Sequence, residues 1–346
     1  MSLPHTQITR AFSWCAYTEK VRKFATMMTR RGHTVYVYAG CDSDAECEEV
    51  VPCAPLAPRT AEVGEPQWTA DYFAPMNTRA IEAMRTRLKP RDFLCVIAGH
   101  LQQPIAEAFP EHQAVEFGVG YEGTFAKHRV FESYAWMHTV YGHQQGAMSA
   151  NGRFFDAVIP NYFEVEQFPA GDGDGGYLLY IGRLIERKGV AVAVDTSRRT
   201  GIPLVVAGQG EPPDHGEYVG VVGPERRAEL MGGAIAQLTP TLYVEPFGGV
   251  AVEAQICGTP VITTDWGAFA ETVEDGVSGF RCRTQAQFDA AALLAGELPR
   301  AQIRERAIRL YSTETVAARY EQYFERLMTL WGDGFHAAQT PSSARQ

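Results

Sequence analysis

Glu245-Pro-Phe-Gly-Gly-Val-Ala-Val-Glu253-Ala-Gln-Ile-Cys-Gly258-Thr-Pro-Val-Ile262 is the stretch that decides the fold class. Gly248 and Gly249 open a short apolar run, Gly258 stops it, and Pro260 leads into a second apolar run. That order reads as loop, helix, turn and strand. Glycines just before a helix let an anion approach free backbone N–H groups, and the helix start favours negative charge. Glu245 and Glu253, with seven residues between them, flank the turn. Carboxylates there can accept hydrogen bonds from hydroxyls, so the stretch suits a ligand carrying both phosphates and hydroxyls.

The same alternation continues outward. Tyr177 to Ile181 reads as a parallel-type strand followed by Gly182-Arg183, then a helix from about Lys188 to Arg199 that stops at Gly201. Pro203 to Ala207 is a strand ending in Gly208-Gln209-Gly210. Tyr218 to Val222, a helix from Pro224 to about Met231 and a strand near Ile235 to Leu238 follow. Near the start, Thr18 is expected to cap a helix with Val21, Phe24, Ala25 and Met28 on one face. Gly32 ends it, and His33 to Ala39 alternates as a strand. Residues 41–70 read as irregular connection, and a helix is expected from about Pro75 to Leu88. Phe93 to Ala98 and Ala114 to Phe117 read as strands, and Val130 to Tyr141 as aromatic-rich helix or mixed structure. Gly171-Asp-Gly-Asp-Gly-Gly176 reads as a flexible loop beside a domain boundary. The last helix, from near Ser312, carries an apolar face of Val316, Tyr320, Tyr323, Phe324, Leu327 and Trp331.

Strand and helix alternate throughout, so the class is α/β with parallel sheets in both halves. The expected domains are residues 1–157 and 158–312, then a final helix over 313–331 and a frayed tail over 332–346. A length of 346 residues is long for one core. With 45% hydrophobic and 21% charged residues the composition is globular. The formal charge of −10 argues against a protein that lives on phosphate backbones. No apolar run is long enough to span a bilayer, and the N-terminus lacks the parts of a signal peptide, so a cytoplasmic protein is expected. Seven scattered cysteines form no disulfide framework. Cys41, Cys47 and Cys53 match no zinc spacing, so no metal site is expected.

Five segments in order carry a resemblance. Gly182-Arg183-Leu-Ile-Glu-Arg-Lys188-Gly189 looks like the diphosphate-binding signature of the retaining glycosyltransferases of family 4 (group 1), and Glu245 to Glu253 matches that family's E-x7-E motif. Ile159-Pro-Asn161, Val206-Ala-Gly208-Gln-Gly210 and Gly258-Thr-Pro-Val-Ile-Thr-Thr-Asp265 are similar to further family patterns. The likeness spans roughly residues 157–280 and fades in the first half. It implies the GT-B fold: two Rossmann-like domains with parallel sheets facing a central cleft, the last helix crossing back onto the first. It also implies transfer of a sugar from a nucleotide diphosphate sugar to a hydroxyl, with retention and without a metal ion. The donor is a substrate, so no cofactor is expected.

Arg183 and Lys188 are a pair of cations suited to a leaving diphosphate. Gly182, Gly208, Gln209 and Gly210 lie at strand ends, where open α/β sheets bind ligands. Gly248, Gly249 and the amides of Val250 and Ala251 are expected to face phosphate or sugar. By resemblance Glu253 takes the ribose hydroxyls, and Glu245 contacts the donor sugar or balances charge at the reacting carbon. Where many family members carry a glycine-rich loop, this chain has Ser13-Trp-Cys-Ala-Tyr17-Thr18. Tyr17, Thr18 and Tyr121 are the acceptor-side candidates. His100 and Glu116 are the two candidates for a polar role near the reacting carbon.

Gly118-Val-Gly120-Tyr-Glu-Gly123 formally matches a dinucleotide fingerprint, but no acidic residue stands about twenty positions on. It reads as an active-site loop. Three rivals remain at this point: another GT-B enzyme such as an epimerase or phosphorylase, a non-catalytic nucleotide-sugar-binding subunit, and a glycosyltransferase acting on hydroxylated bases of nucleic acid. Donor sugar, base, acceptor and oligomeric state are not legible.

Overall fold

The structure, a computed structural model, describes residues 1–13, 15–54, 68–144, 152–329 and 334–335. Trp14, residues 55–67 of the expected connection, Trp331 and all of the tail except 334–335 lie outside these. The chain divides into two compact units. Met1–Phe131, Ser149–Ile159 and Val316–Gln346 form the first, and Glu132–Met148 and Pro160–Thr315 form the second.

In the first unit, α1 (Ala16–Arg30) leads into β1 (Tyr36–Gly40) and β2 (Glu49–Ala54), followed by α2 (Ala70–Met84) and β3 (Phe93–Val96). Then come α3 (Gln103–Ala108), β4 (Gln113–Val119), β5 (His128–Phe131) and β6 (Ala157–Val158). β1 pairs with β2, and β3-β4-β5-β6 form a separate four-stranded sheet, all parallel. β2 falls where sequence alone gives only connection, because its Pro52 and flanking acids mask an inward-facing Val51, Cys53 and Ala54.

Apolar layers cover both faces of this parallel structure, as parallel strands require. Tyr38, Val51, Met76, Met84, Leu94 and Ile105 pack in one layer. Phe24 of α1 packs on Phe117 of β4 and on Tyr320 of the last helix, at ring distances of 4.5 and 5.1 Å. The expected face of α1 is buried, but its start is not at Thr18. Cys15 is the N-cap, and Thr18 lies one turn inside. α2 also starts earlier than expected, capped by Thr69, with Pro75 inside it. Pro75 and Asp71 both lie on the exposed face, so water can satisfy the Asp71 carbonyl that a proline leaves unpaired.

In the second unit, α4 (Tyr134–Gln144) precedes β7 (Leu178–Ile181), α5 (Val190–Thr200), β8 (Leu204–Ala207), β9 (Glu217–Tyr218) and α6 (Pro224–Gly233). β10 (Ala236–Thr239), α7 (Gly249–Ile256), β11 (Val261–Thr264), α8 (Phe269–Thr272), β12 (Gly279–Cys282), α9 (Gln285–Leu294) and α10 (Arg300–Tyr311) follow. The last helix, α11 (Thr313–Thr329), begins in this unit and belongs to the first from Val316 on. The strands form one parallel sheet in the order β12-β11-β10-β7-β8-β9. Its side chains alternate with period two: Leu178, Tyr180, Leu204 and Val206 enter one layer, Leu179, Val205 and Val261 the other.

The aromatic-rich segment read as helix or mixed structure is mixed: it divides into β5, buried throughout, and α4, which belongs to the second unit. The amides of Tyr134 and Ala135 at the start of α4 donate to the Glu271 carboxylate at 2.9 and 2.8 Å, and Ser133 Oγ donates to the Pro246 carbonyl at 2.6 Å. One expectation needs correction here. The glycine-rich stretch 171–176 is not a boundary. It lies inside the second unit, where the N–H groups of Gly171, Gly173 and Gly175 donate to the carbonyls of Cys257, Gly232 and Gly233.

Candidate active site

The order of the second sheet fixes where a ligand sits. From β7 the chain builds outward to β8 and β9 on one side, then returns to β10, β11 and β12 on the other. The switch point lies between β7 and β10, and open α/β sheets bind ligands outside the carboxyl ends of the strands at that point. The loop after β7 carries Gly182 to Lys188, and the loop after β10 carries Glu245 to Gly248.

Those two loops meet. Lys188 Nζ donates to Glu245 Oε2 at 2.8 Å, with both side chains largely buried. Burial alone pulls the Lys188 pKa down; the Glu245 carboxylate and the Tyr243 hydroxyl outweigh it, and the ammonium ends above its usual value. Tyr243, which sequence reasoning missed, places its ring 4.1 Å from the Arg187 guanidinium and 4.9 Å from Lys188 Nζ. The Tyr180 hydroxyl donates to the carbonyls of Arg183 and Lys188 at 3.0 and 3.4 Å, which holds the curve of the β7 loop. The Arg183 side chain is exposed, and no acid pairs with it among the described residues. It is an exposed cation near one held by an ion pair.

Gly182, Gly208, Gln209 and Gly210 are brought together. The Gly182 N–H donates to Ala207 O at 3.0 Å and the Leu184 N–H to Gln209 O at 2.8 Å, so the loops after β7 and β8 run side by side. Gly208 sits at φ 144°, where an added Cβ would lie 1.8 Å from the Gly182 carbonyl. Only glycine allows that approach.

Gly248 caps α7 at φ 78°, against the Phe269 ring. Gly249 and Val250 follow in the first turn. The expected role of the Ala251 amide is corrected: that N–H already donates to Gly248 O at 3.0 Å and is not free for a ligand. Glu253 is buried one turn on, with Oε2 3.2 Å from Arg227 Nε. Neither of those two atoms has a hydrogen-bond partner, so the carboxylate keeps unused acceptor capacity. Arg227 lies on α6 with no motif around it, and no sequence signal points to it.

In the first unit the acceptor-side candidates converge at the carboxyl ends of β3 and β4. The Tyr17 and Tyr121 rings are 5.8 Å apart, and burial pushes the Tyr17 hydroxyl up to about 12. Lys20, missed by sequence reasoning, lies 5.3 Å from the Tyr17 ring centre and donates to Gly118 O at 3.2 Å; burial lowers its pKa to about 7. His100 is exposed, its Nδ1 3.0 Å from Gln103 Oε1. Two expectations fail here. Thr18 is buried and spends its hydroxyl on Thr6, 2.6 Å away. Glu116 is 0% exposed and accepts from the amides of Phe125 and Ala126 at 3.0 and 2.9 Å and from the Tyr121 hydroxyl at 3.4 Å. It anchors the 121–126 loop and does not face solvent, so His100 is the remaining candidate of the two. Among the described residues no cluster of His, Cys, Asp and Glu forms a metal centre, and no helix is long and apolar enough to cross a membrane.

Two parallel-sheet α/β units, one with cations gathered at its switch point, define a protein of the GT-B class. AviGT4, a glycosyltransferase involved in avilamycin A biosynthesis, has a similar fold, with a TM-score of 0.68 and 21% identity over 91% of this chain and 90% of that one. Residues 163–309 match the family described as glycosyl transferases group 1. The chain is 30% identical over 213 residues to a phosphatidyl-myo-inositol mannosyltransferase of Mycobacterium tuberculosis, covering 52% of this chain and 56% of the relative. It is 36% identical over 136 residues to a glycogen synthase of the same organism, covering 34% and 32%. The chain thus spans about half the length of the mannosyltransferases it matches.

Proposed function

We propose that this protein is a retaining glycosyltransferase that moves a sugar from a nucleotide diphosphate sugar to a hydroxyl acceptor without a metal ion. The observation that carries the reading is the Lys188–Glu245 pair at the switch point, with the exposed Arg183 beside it. Arg183 and Lys188 bind the diphosphate, and the start of α7 adds positive potential. Glu253 takes the ribose hydroxyls with its unused lone pairs. Glu245 faces the donor sugar and keeps Lys188 in position. The bond from the anomeric carbon to the diphosphate breaks and the bond to the acceptor oxygen forms on the same face. The acceptor's proton passes to the leaving diphosphate, whose charge the two cations stabilise. His100, Tyr17 and Tyr121 belong to the acceptor side.

The relatives support transfer over isomerisation, since those named are a mannosyltransferase and a glycogen synthase. The free cysteines support a reducing, cytoplasmic setting. No cofactor beyond the donor enters the scheme. The test is Arg183→Ala. An exposed side chain outside the core changes stability by within about 0.5 kcal/mol. Transfer should fall by about a hundredfold or more, on the scale of one lost transition-state donor. An unchanged rate sinks the assignment.

A further inference from the structure

A central parallel strand covered on both faces is apolar on both. β10 lies between β7 and β11 and departs from that rule. It carries Gln237, 0% exposed, with Thr239 two positions on and so on the same face. Thr263 of β11 is paired with Thr239 in register and is also 0% exposed. The residues paired with Gln237 itself are Leu179 and Val261, both in the apolar layer that α7 packs on. A leucine at 237 would join that layer without burying an amide.

What the amide adds is a hold on the start of α7. Gln237 Nε2 donates to the Val250 carbonyl at 3.2 Å and lies 3.5 Å from Thr239 Oγ1. A carbonyl can only accept, so Val250 fixes which end of the Gln237 amide is the nitrogen. Val250 belongs to the first turn of α7, where the Ala251 N–H already donates to Gly248 O. The N–H groups of Gly249 and Val250 precede that bond, and these are the ones a ligand can use. The other end of the Gln237 amide is separately informative. Gln237 Oε1 and Thr263 Oγ1 are buried and have no hydrogen-bond partner among the described residues. Thr239 stands between them, in contact with Gln237 and in register with Thr263. Buried polar atoms gathered in this way are bridged by internal water.

We propose that Gln237 is a positioning residue for the donor: it suspends the first turn of α7 from β10 and, with Thr263, holds an internal water beneath that turn, so that the N–H groups of Gly249 and Val250 stay aimed at the phosphates. This rests on the reading of α7 as part of the diphosphate site. Gln237 touches no ligand. It acts through the backbone of the helix start, so its effect follows the phosphates and not the base or the ribose. Small displacements of a binding group are enough to lose what a fixed geometry provides. A polar residue that breaks the pattern of its own strand is expected where function, and not packing, selects it.

The test is direct binding, with no transfer step, measured by ligand-observed NMR on the full chain. The probes are UDP, GDP and ADP, each beside its nucleoside. For the diphosphate that the native chain binds, Gln237→Leu should raise Kd about tenfold, on the scale of one lost hydrogen bond. Thr263→Val, which keeps the bond to Val250, should raise it by less. Nucleoside affinity should change in neither. A purely structural role would lower Tm and weaken diphosphate and nucleoside alike, and that result overturns the proposal. An unchanged ratio of diphosphate to nucleoside affinity in either variant also overturns it, so Thr263→Val decides the case if Gln237→Leu does not fold. Arg183→Ala in the same assay separates this inference from the reading it rests on. Diphosphate affinity lost in Arg183→Ala but kept in Gln237→Leu overturns the role of Gln237 alone. A native chain that binds none of the three diphosphates overturns both.

Discussion

Glu253 illustrates how much one residue owes to a neighbour that no motif contains. Its carboxylate is buried and faces Arg227 at ion-pair distance without hydrogen-bond alignment. The pairing keeps a buried charge tolerable, while its geometry leaves lone pairs that, on the proposed reading, take the ribose hydroxyls. On that reading Arg227 is a positioning residue. Replacing it with Met should raise the donor KM about tenfold, the loss of roughly 1.4 kcal/mol of binding, with a smaller change in kcat. A purely structural role would not alter the choice between ribose and 2′-deoxyribose donors. Steady-state kinetics with both donors should show that preference shrinking in Arg227→Met and in Glu253→Gln alike. An Arg227→Met enzyme with full ribose preference would contradict the assignment. Sequence reasoning found Glu253 because the E-x7-E spacing is local. It missed Arg227, Tyr243 and Lys20, because each acts through a contact with a residue that only the fold brings near.

At the scale of elements, the site is built by backbone approach as much as by side chains. The β7 and β8 loops touch at Gly182 and Gly208 with no room for a Cβ. Gly208→Ala should cost about 3 kcal/mol or more, since carbonyl and methyl cannot share that space. Gly201, also at positive φ but with nothing within 4 Å, is the control; alanine there should cost only about 1 kcal/mol of backbone strain. Equal losses in urea denaturation would show that conformation, not the loop contact, demands glycine at 208. The 121–126 loop depends instead on Glu116, whose carboxyl burial pushes up to about 7 from 4.5, against the backbone amides, Arg129 and Tyr121 that favour its charge. The folded chain then binds more protons than the unfolded one between those values, so this group's contribution to stability falls as pH rises from about 4.5 through 7. The full difference is on the order of 3 kcal/mol. Glu116→Gln removes it: the stability of the native chain relative to the variant should drop by about that much between pH 4.5 and 8. A difference flat with pH would mean the carboxyl stays ionised in the fold. Glu116 was legible as a polar residue after a strand, but its inward direction was not, because a seven-residue strand with a glycine bulge does not announce which face each side chain takes.

At the scale of the whole molecule, the second unit was legible and the first only in outline. On the proposed reading, diphosphate recognition falls to short contiguous loops at strand ends, so Arg183, Lys188, Glu245 and the glycines appear in order along the chain. The first unit draws its polar cluster from α1, β3, β4 and a loop, and draws a face of its core from a helix nearly three hundred positions after α1. Periodicity gave that helix its apolar face but could not say what covers it. The charge of the whole chain carries one more prediction. At −10 the protein offers polyanions a repulsive field, and affinity for a phosphate backbone comes from counterions that many cations release. Arg183 and Lys188 can hold one diphosphate; they cannot follow a duplex. Fluorescence anisotropy of a labelled duplex containing hydroxymethylated bases should show no binding at micromolar protein in 50 mM salt. Binding that weakens steeply between 50 and 200 mM salt would reveal a basic track that the net charge conceals, and it would revive the transferase acting on hydroxylated bases as the reading of the acceptor side.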